Sequence, residues 1–163
     1  MTQGLSPEAA GMVFRRCRSP LERRAVGRLL AERGLPLAER GVAGDLFGLW
    51  DLTAPAGEAL AGAAAAGPLR DGGEVQLRGI AVAAGAVHQG LDRRLVCEVA
   101  DSFRALGAAR LVARLTDGAG SALALLRSAG FAPAGAGRAP DRVSAPRTRA
   151  RADDDGGWWE LEL

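Results

Sequence analysis

Lysine, asparagine and tyrosine are absent from this 163-residue chain, and histidine and isoleucine occur once each. Without lysine there is no Schiff-base chemistry and no amine nucleophile on a side chain. Without tyrosine there is no phenolic acid. All 21 basic residues are arginine, which matches the coding bias of a GC-rich bacterial genome. Four phenylalanines and three tryptophans leave little surface for base stacking. A net charge of +2 is no footprint for a polyanion, so a nucleic-acid partner is not expected. Cys17 and Cys97 stand alone, without ligand-like spacing to each other or to His88; reduced thiols and no metal site are expected. The sequence also has no apolar run of membrane-spanning length and no charged leader followed by an apolar stretch. The expectation is a cytoplasmic protein with no membrane partner.

What is present is a hydrophobic share of 48%, mostly Ala, Leu and Val, enough for one core in one domain spanning 1–163. Met12 to Arg16 reads as a strand. Ser19-Pro20 then supplies an N-cap and a first-turn proline for a helix that Gly34 and Pro36 end. Asp45 to Thr53 and Ala59 to Ala66 read as a hairpin around Pro55-Ala56-Gly57. Glu74 to Val82 has the apolar density of a central strand. A helix over Asp92 to Leu106 follows, with Leu95, Val96, Val99 and Phe103 on one face, and Cys97 is expected to pack there too. Arg110 to Leu115 is a strand, Gly120 to Ser128 a helix, Gly130-Phe131 the start of another strand, and Trp158 to Leu163 the last one. Between them, 135–157 is rich in Gly, Pro, Arg and Asp and is expected to be a mobile loop. The alternation of strand and helix implies crossover helices packed on a sheet.

Two pieces of this chain resemble the acyl-CoA-binding half of the GNAT acetyltransferases. Val82 closes a strand before Val87-His88-Gln89-Gly90-Leu91-Asp92, where that family has Gln/Arg-x-x-Gly-x-Gly/Ala and then a long helix. Leu125-Leu126-Arg127-Ser128-Ala129-Gly130-Phe131 is similar to the family's Leu-Tyr-x-x-x-Gly-Phe. The resemblance implies an α/β GNAT fold, with a central mixed sheet of about six to seven strands flanked by helices. It implies acetyl-CoA or another acyl-CoA as cofactor, and direct acyl transfer to an amine of a small molecule or protein; a homodimer is compatible with it.

The same resemblance assigns Ala81 and Val82 to the backbone amide that polarises the thioester carbonyl, and Val87, His88, Gln89, Gly90, Leu91, Asp92 and Arg93 to the phosphate loop. A phosphate loop needs small residues so that successive amides at a helix N-terminus can approach the anion. Gly90 meets that need. Asp92 brings a carboxylate instead, and reads either as a plain N-cap or as a group offset by His88, Arg93 and Arg94. Leu126 replaces the family's tyrosine acid. Ser128 is the substitute candidate acid and Glu74 the candidate base, with a capping serine and a strand-end glutamate as their ordinary alternatives. Arg138, Arg142, Arg147, Arg149 and Arg151 read as a solvated loop or as a reader of an acidic acceptor. Two functions stay open at this point: an acyl-CoA-dependent N-acyltransferase, and a degenerate GNAT-fold protein acting as a binding module or repurposed in small-molecule biosynthesis.

Overall fold

The computed structural model describes residues 11–34, 44–55, 58–84, 90–116, 120–134 and 157–163. The elements run β1 (Met12–Arg16), α1 (Pro20–Arg33), β2 (Asp45–Asp51), β3 (Ala59–Ala66), β4 (Glu74–Val82), α2 (Leu91–Arg104), β5 (Arg110–Arg114), α3 (Gly120–Ser128), β6 (Ala132–Pro133) and β7 (Trp158–Glu162). The seven strands form one mixed sheet in the order β1-β2-β3-β4-β5-β7-β6. β1 to β4 form an antiparallel meander, and β4 and β5 are parallel. β7 returns antiparallel between β5 and β6. The expected βαβαβ alternation holds in chain order from β4 to β6, and the last strand, β7, inserts between β5 and β6.

Local chemistry explains the elements. Ser19 accepts the Glu22 amide at 3.1 Å while the Glu22 carboxylate accepts the Ser19 amide at 3.0 Å, a reciprocal cap with Pro20 in the first turn. These bonds, with one from the Arg18 amide and the nearby Arg15 guanidinium, hold the Glu22 carboxyl down from 4.5 to about 2. α2 buries Leu91, Leu95, Val96, Val99, Ala100 and Phe103 on one face. Cys97 points to solvent, contrary to expectation, because it falls outside that stripe.

The sheet separates two apolar layers. Phe47, Leu49, Val75, Leu77, Ile80, Leu111 and Ala113 face α2 and α3, while Leu46, Trp50, Ala63, Ala65 and Ala81 face α1. β3 is built almost wholly of alanine and is buried from Ala61 to Ala66, so α1 and α2 sit close on either side. Phe14 stacks on Phe47, and Phe47 meets Phe103 edge-on at 5.9 Å. No described helix is long and apolar enough to cross a membrane, and among the described residues no cluster has the makings of a metal site.

Candidate active site

β4 and β5 are paired from Glu74↔Arg110 to Leu77↔Ala113 and no further. Beyond Leu77, β4 continues to Val82 alongside β3, whereas β5 continues alongside β7 through Arg114↔Trp158 and a bond from the Leu115 amide to Gly157 O at 2.9 Å. The two central strands therefore part company in mid-sheet. The cause is visible in the register. Ala65 pairs with Gly79 and Ala66 with Leu77, so Arg78 is an extra residue, a β-bulge that bends β4 at the point of separation. Gly79 follows because Leu30 of α1 presses on the same spot: a Cβ there would lie 3.0 Å from Leu30 Cδ2.

Among the described residues, the opening leaves one edge of β4 without a ladder partner in β5. The Ala83 amide donates to Ala61 O at 2.9 Å, which fixes the phase of the antiparallel ladder. Ala81 and Gly79 turn their backbone groups toward Ala63 and Ala65, while Val82 and Ile80 turn theirs toward the side that β5 has left. Of the two residues expected to supply the polarising amide, the register gives Val82 that orientation and commits Ala81 to β3. Ile80, not singled out from sequence, shares the open edge.

The N-terminus of α2 lies at this same end of the sheet. Gly62 pairs with Val82, and a Cβ on Gly62 would fall 2.6 Å from Leu95 Cδ1; glycine lets the second turn of α2 settle beside Val82. Gly90 is the N-cap, left-handed at φ 65°, with open space where a Cβ would stand and no side-chain cap. Asp92 is therefore not the N-cap. It lies in the first turn, and its Oδ1 accepts the amide of Arg93 at 2.7 Å. Leu91 is buried in the core, Arg93 is exposed, and Arg94 is turned toward Glu98 (3.5 Å) and Met12 O (3.4 Å). Val87, His88 and Gln89 lie outside the described residues, as does nearly all of the expected 135–157 loop with its five arginines.

The structure does not bring Glu74 to the opening. Glu74 starts β4 at the closed end of the β4–β5 pair, and eight residues at a rise of ~3.3 Å separate it from Val82 by about 26 Å. Its side chain is 6% exposed, and its Oε2 accepts from Arg110 Nε (3.1 Å) and Nη2 (3.0 Å), with Arg70 Nη1 3.8 Å from Oε1. It forms a buried ion pair that clamps two strand starts and is not an exposed strand-end residue. Ser128 is displaced for a related reason. α3 runs back from the open end, and Gly130, just beyond Ser128, sits by Leu161, whose partner Leu111 belongs to the closed end. The exposed Ser128 hydroxyl donates to Leu125 O at 2.7 Å, capping its own helix. Leu126 is buried in the α3-side core.

Burial raises the Cys17 thiol to about 11, so it is not a nucleophile near neutral pH. A cavity of about 340 Å³ beside Phe14, Phe47 and Phe103 opens at the closed end of the sheet, remote from the β4–β5 separation.

The fit of an acyl-CoA to these residues divides in two. The open edge of β4 offers amides to an extended arm and to a carbonyl. The uncapped turn at Gly90 offers a backbone approach, yet Asp92 already places a carboxylate on one of its amides.

The sequence matches no protein-family model and no curated protein. Solved structures match the fold over nearly the whole chain. A protein described as an acetyltransferase of the GNAT family from Desulfovibrio desulfuricans aligns with a TM-score of 0.67 and 24% identity over 93% of this chain and 98% of its own. The ribosomal-protein-S18-alanine N-acetyltransferase of Escherichia coli aligns at 0.62 and 23% over 93% of each chain. Spermidine N-acetyltransferase from Vibrio cholerae, in complex with CoA and spermine, aligns at 0.64 and 13% over 94% of this chain and 96% of its own. The chain has the GNAT acetyltransferase fold: among the described residues, a mixed seven-stranded sheet, parted between β4 and β5 and flanked by three helices.

Proposed function

We propose that this chain is an acyl-CoA-dependent N-acyltransferase that passes an acyl group directly to an amine of a small molecule or a protein. The observation that carries the proposal is the parting of β4 from β5 at the Arg78 bulge, which vacates the side that the Val82 amide faces, next to the uncapped start of α2. Acyl-CoA, as substrate, would supply a thioester-activated acyl group. The Val82 amide is the donor placed to polarise its carbonyl, and it does so without reorganising. The Ile80 amide and the first turn of α2 hold and orient the arm that carries it.

With Glu74 held by arginines and Leu126 in the place of tyrosine, catalysis in this reading is positional and electrostatic. The acceptor amine gives its proton to water before attack, so turnover should rise with pH along the acceptor's own ionisation. A second reading, a GNAT-fold binding module without transfer, is favoured by Leu126 and Asp92. Titration calorimetry with acetyl-CoA, followed by thiol release over a panel of amines, tests both. Heat with thiol release supports transfer, heat without thiol release supports the module, and no heat with any acyl-CoA refutes the acyltransferase reading.

A further inference from the structure

The first turn of α2 is where this site departs from what a diphosphate needs. Asp92 holds the Arg93 amide with its own carboxylate at 2.7 Å, so the turn meets a dianion with one donor already taken and one negative charge in place. Among the described residues, Arg94 is turned toward Glu98 through Nε and toward Met12 O through Nη2, with Nη1 buried and without a hydrogen bond, and the exposed Arg93 matches the single charge of Asp92. The open edge of β4 carries no such conflict: Val82 and Ile80 present amides there, complementary to an arm that itself contains amides.

Building on the acyltransferase reading above, we propose that the donor is recognised by its pantetheine arm alone and that the diphosphate of coenzyme A contributes no net hold. The substrate class is thus a pantetheine thioester, free or borne on a carrier protein. The reaction is the same for either: the amine nitrogen bonds to the acyl carbon, the carbon–sulfur bond breaks, and the proton lost by the amine balances the one taken up by the thiolate.

The test is titration calorimetry of the full chain with coenzyme A and with pantetheine, at low and high salt. The proposal predicts affinities within about fivefold of each other and little salt dependence, since no ion pair is made. Asp92→Gly, which removes the charge and frees the amide, should make coenzyme A the tighter ligand by about tenfold or more. Asp92→Asn removes the charge while keeping an acceptor for the Arg93 amide; it should move coenzyme A in the same direction and serves where glycine loosens the helix. An advantage for coenzyme A above about fivefold in the unaltered chain, or variants that leave the ratio unmoved, overturns the proposal and leaves the acyltransferase reading standing. Failure of both compounds to bind overturns both. Transfer from an acetylated carrier protein assigns the arm to a carrier and transfer confined to small thioesters assigns it to a free donor; either supports recognition by the arm.

Discussion

Replacing Glu74 by glutamine separates a structural glutamate from a catalytic one. The Glu74 carboxylate is 6% exposed, and its partner Arg110 is 27% exposed, which places the pair between a surface bridge, worth about 0–1 kcal/mol, and a buried one, whose breaking costs about 3–5 kcal/mol. A loss of about 2 kcal/mol follows for Glu74→Gln, which keeps the shape but leaves Arg110 without its counter-charge. For a chain of this length that corresponds to a fall in Tm of about 4–8 °C. Thermal melts read the stability, and calorimetry with acetyl-CoA reads the site. Because ~26 Å of strand lies between Glu74 and Val82, acetyl-CoA affinity and the rate of thiol release should stay at the level of the unaltered chain. A variant that melts normally but binds or turns over poorly would refute this placement.

Other consequences are open to measurement. Glu22 is held at about 2 in the folded chain, below its ordinary 4.5, so its contribution is present above pH 4.5 and is lost as pH falls toward 2. Acid titration of stability should therefore be flatter over that window in Glu22→Gln than in the unaltered chain; identical acid limbs would contradict the cap. Cys97 is exposed and Cys17 is buried with its thiol raised to about 11, so a thiol reagent should label one cysteine in the native chain and both in denaturant. Rapid native labelling of Cys17 would contradict its packing with Val26 and Leu46 in the layer between α1 and the sheet.

Most of the element pattern was legible in the sequence because it rests on local chemistry. Ser19-Pro20 caps α1, Asp71-Gly72-Gly73 turns the chain into β4, and β3 and β4 run between their expected ends. What was not legible is non-local. The place of β7 between β5 and β6 depends on pairing with residues far away in the chain. Glu74 reads from sequence as a candidate base or an ordinary strand-end glutamate, since its partner Arg110 is 36 residues on. Asp92 looked like an N-cap, and only the left-handed turn at Gly90 shows that the cap lies two residues earlier. The choice between Ala81 and Val82 needed the ladder phase. A signal at the opening was nonetheless present: Arg78-Gly79 breaks the strand between Leu77 and Ile80, and Arg78 is the bulge.

The central claim is that the edge of β4 left open beyond Leu77 is the donor site. Backbone amide spectra of the isotopically labelled chain, titrated with acetyl-CoA, test it at single residues. The Val82, Ile80 and Gly90 amides should shift with saturation, and those of Glu74 and Arg110 at the closed end should stay where they are. Saturable binding that leaves Val82 and Ile80 unmoved would contradict the account.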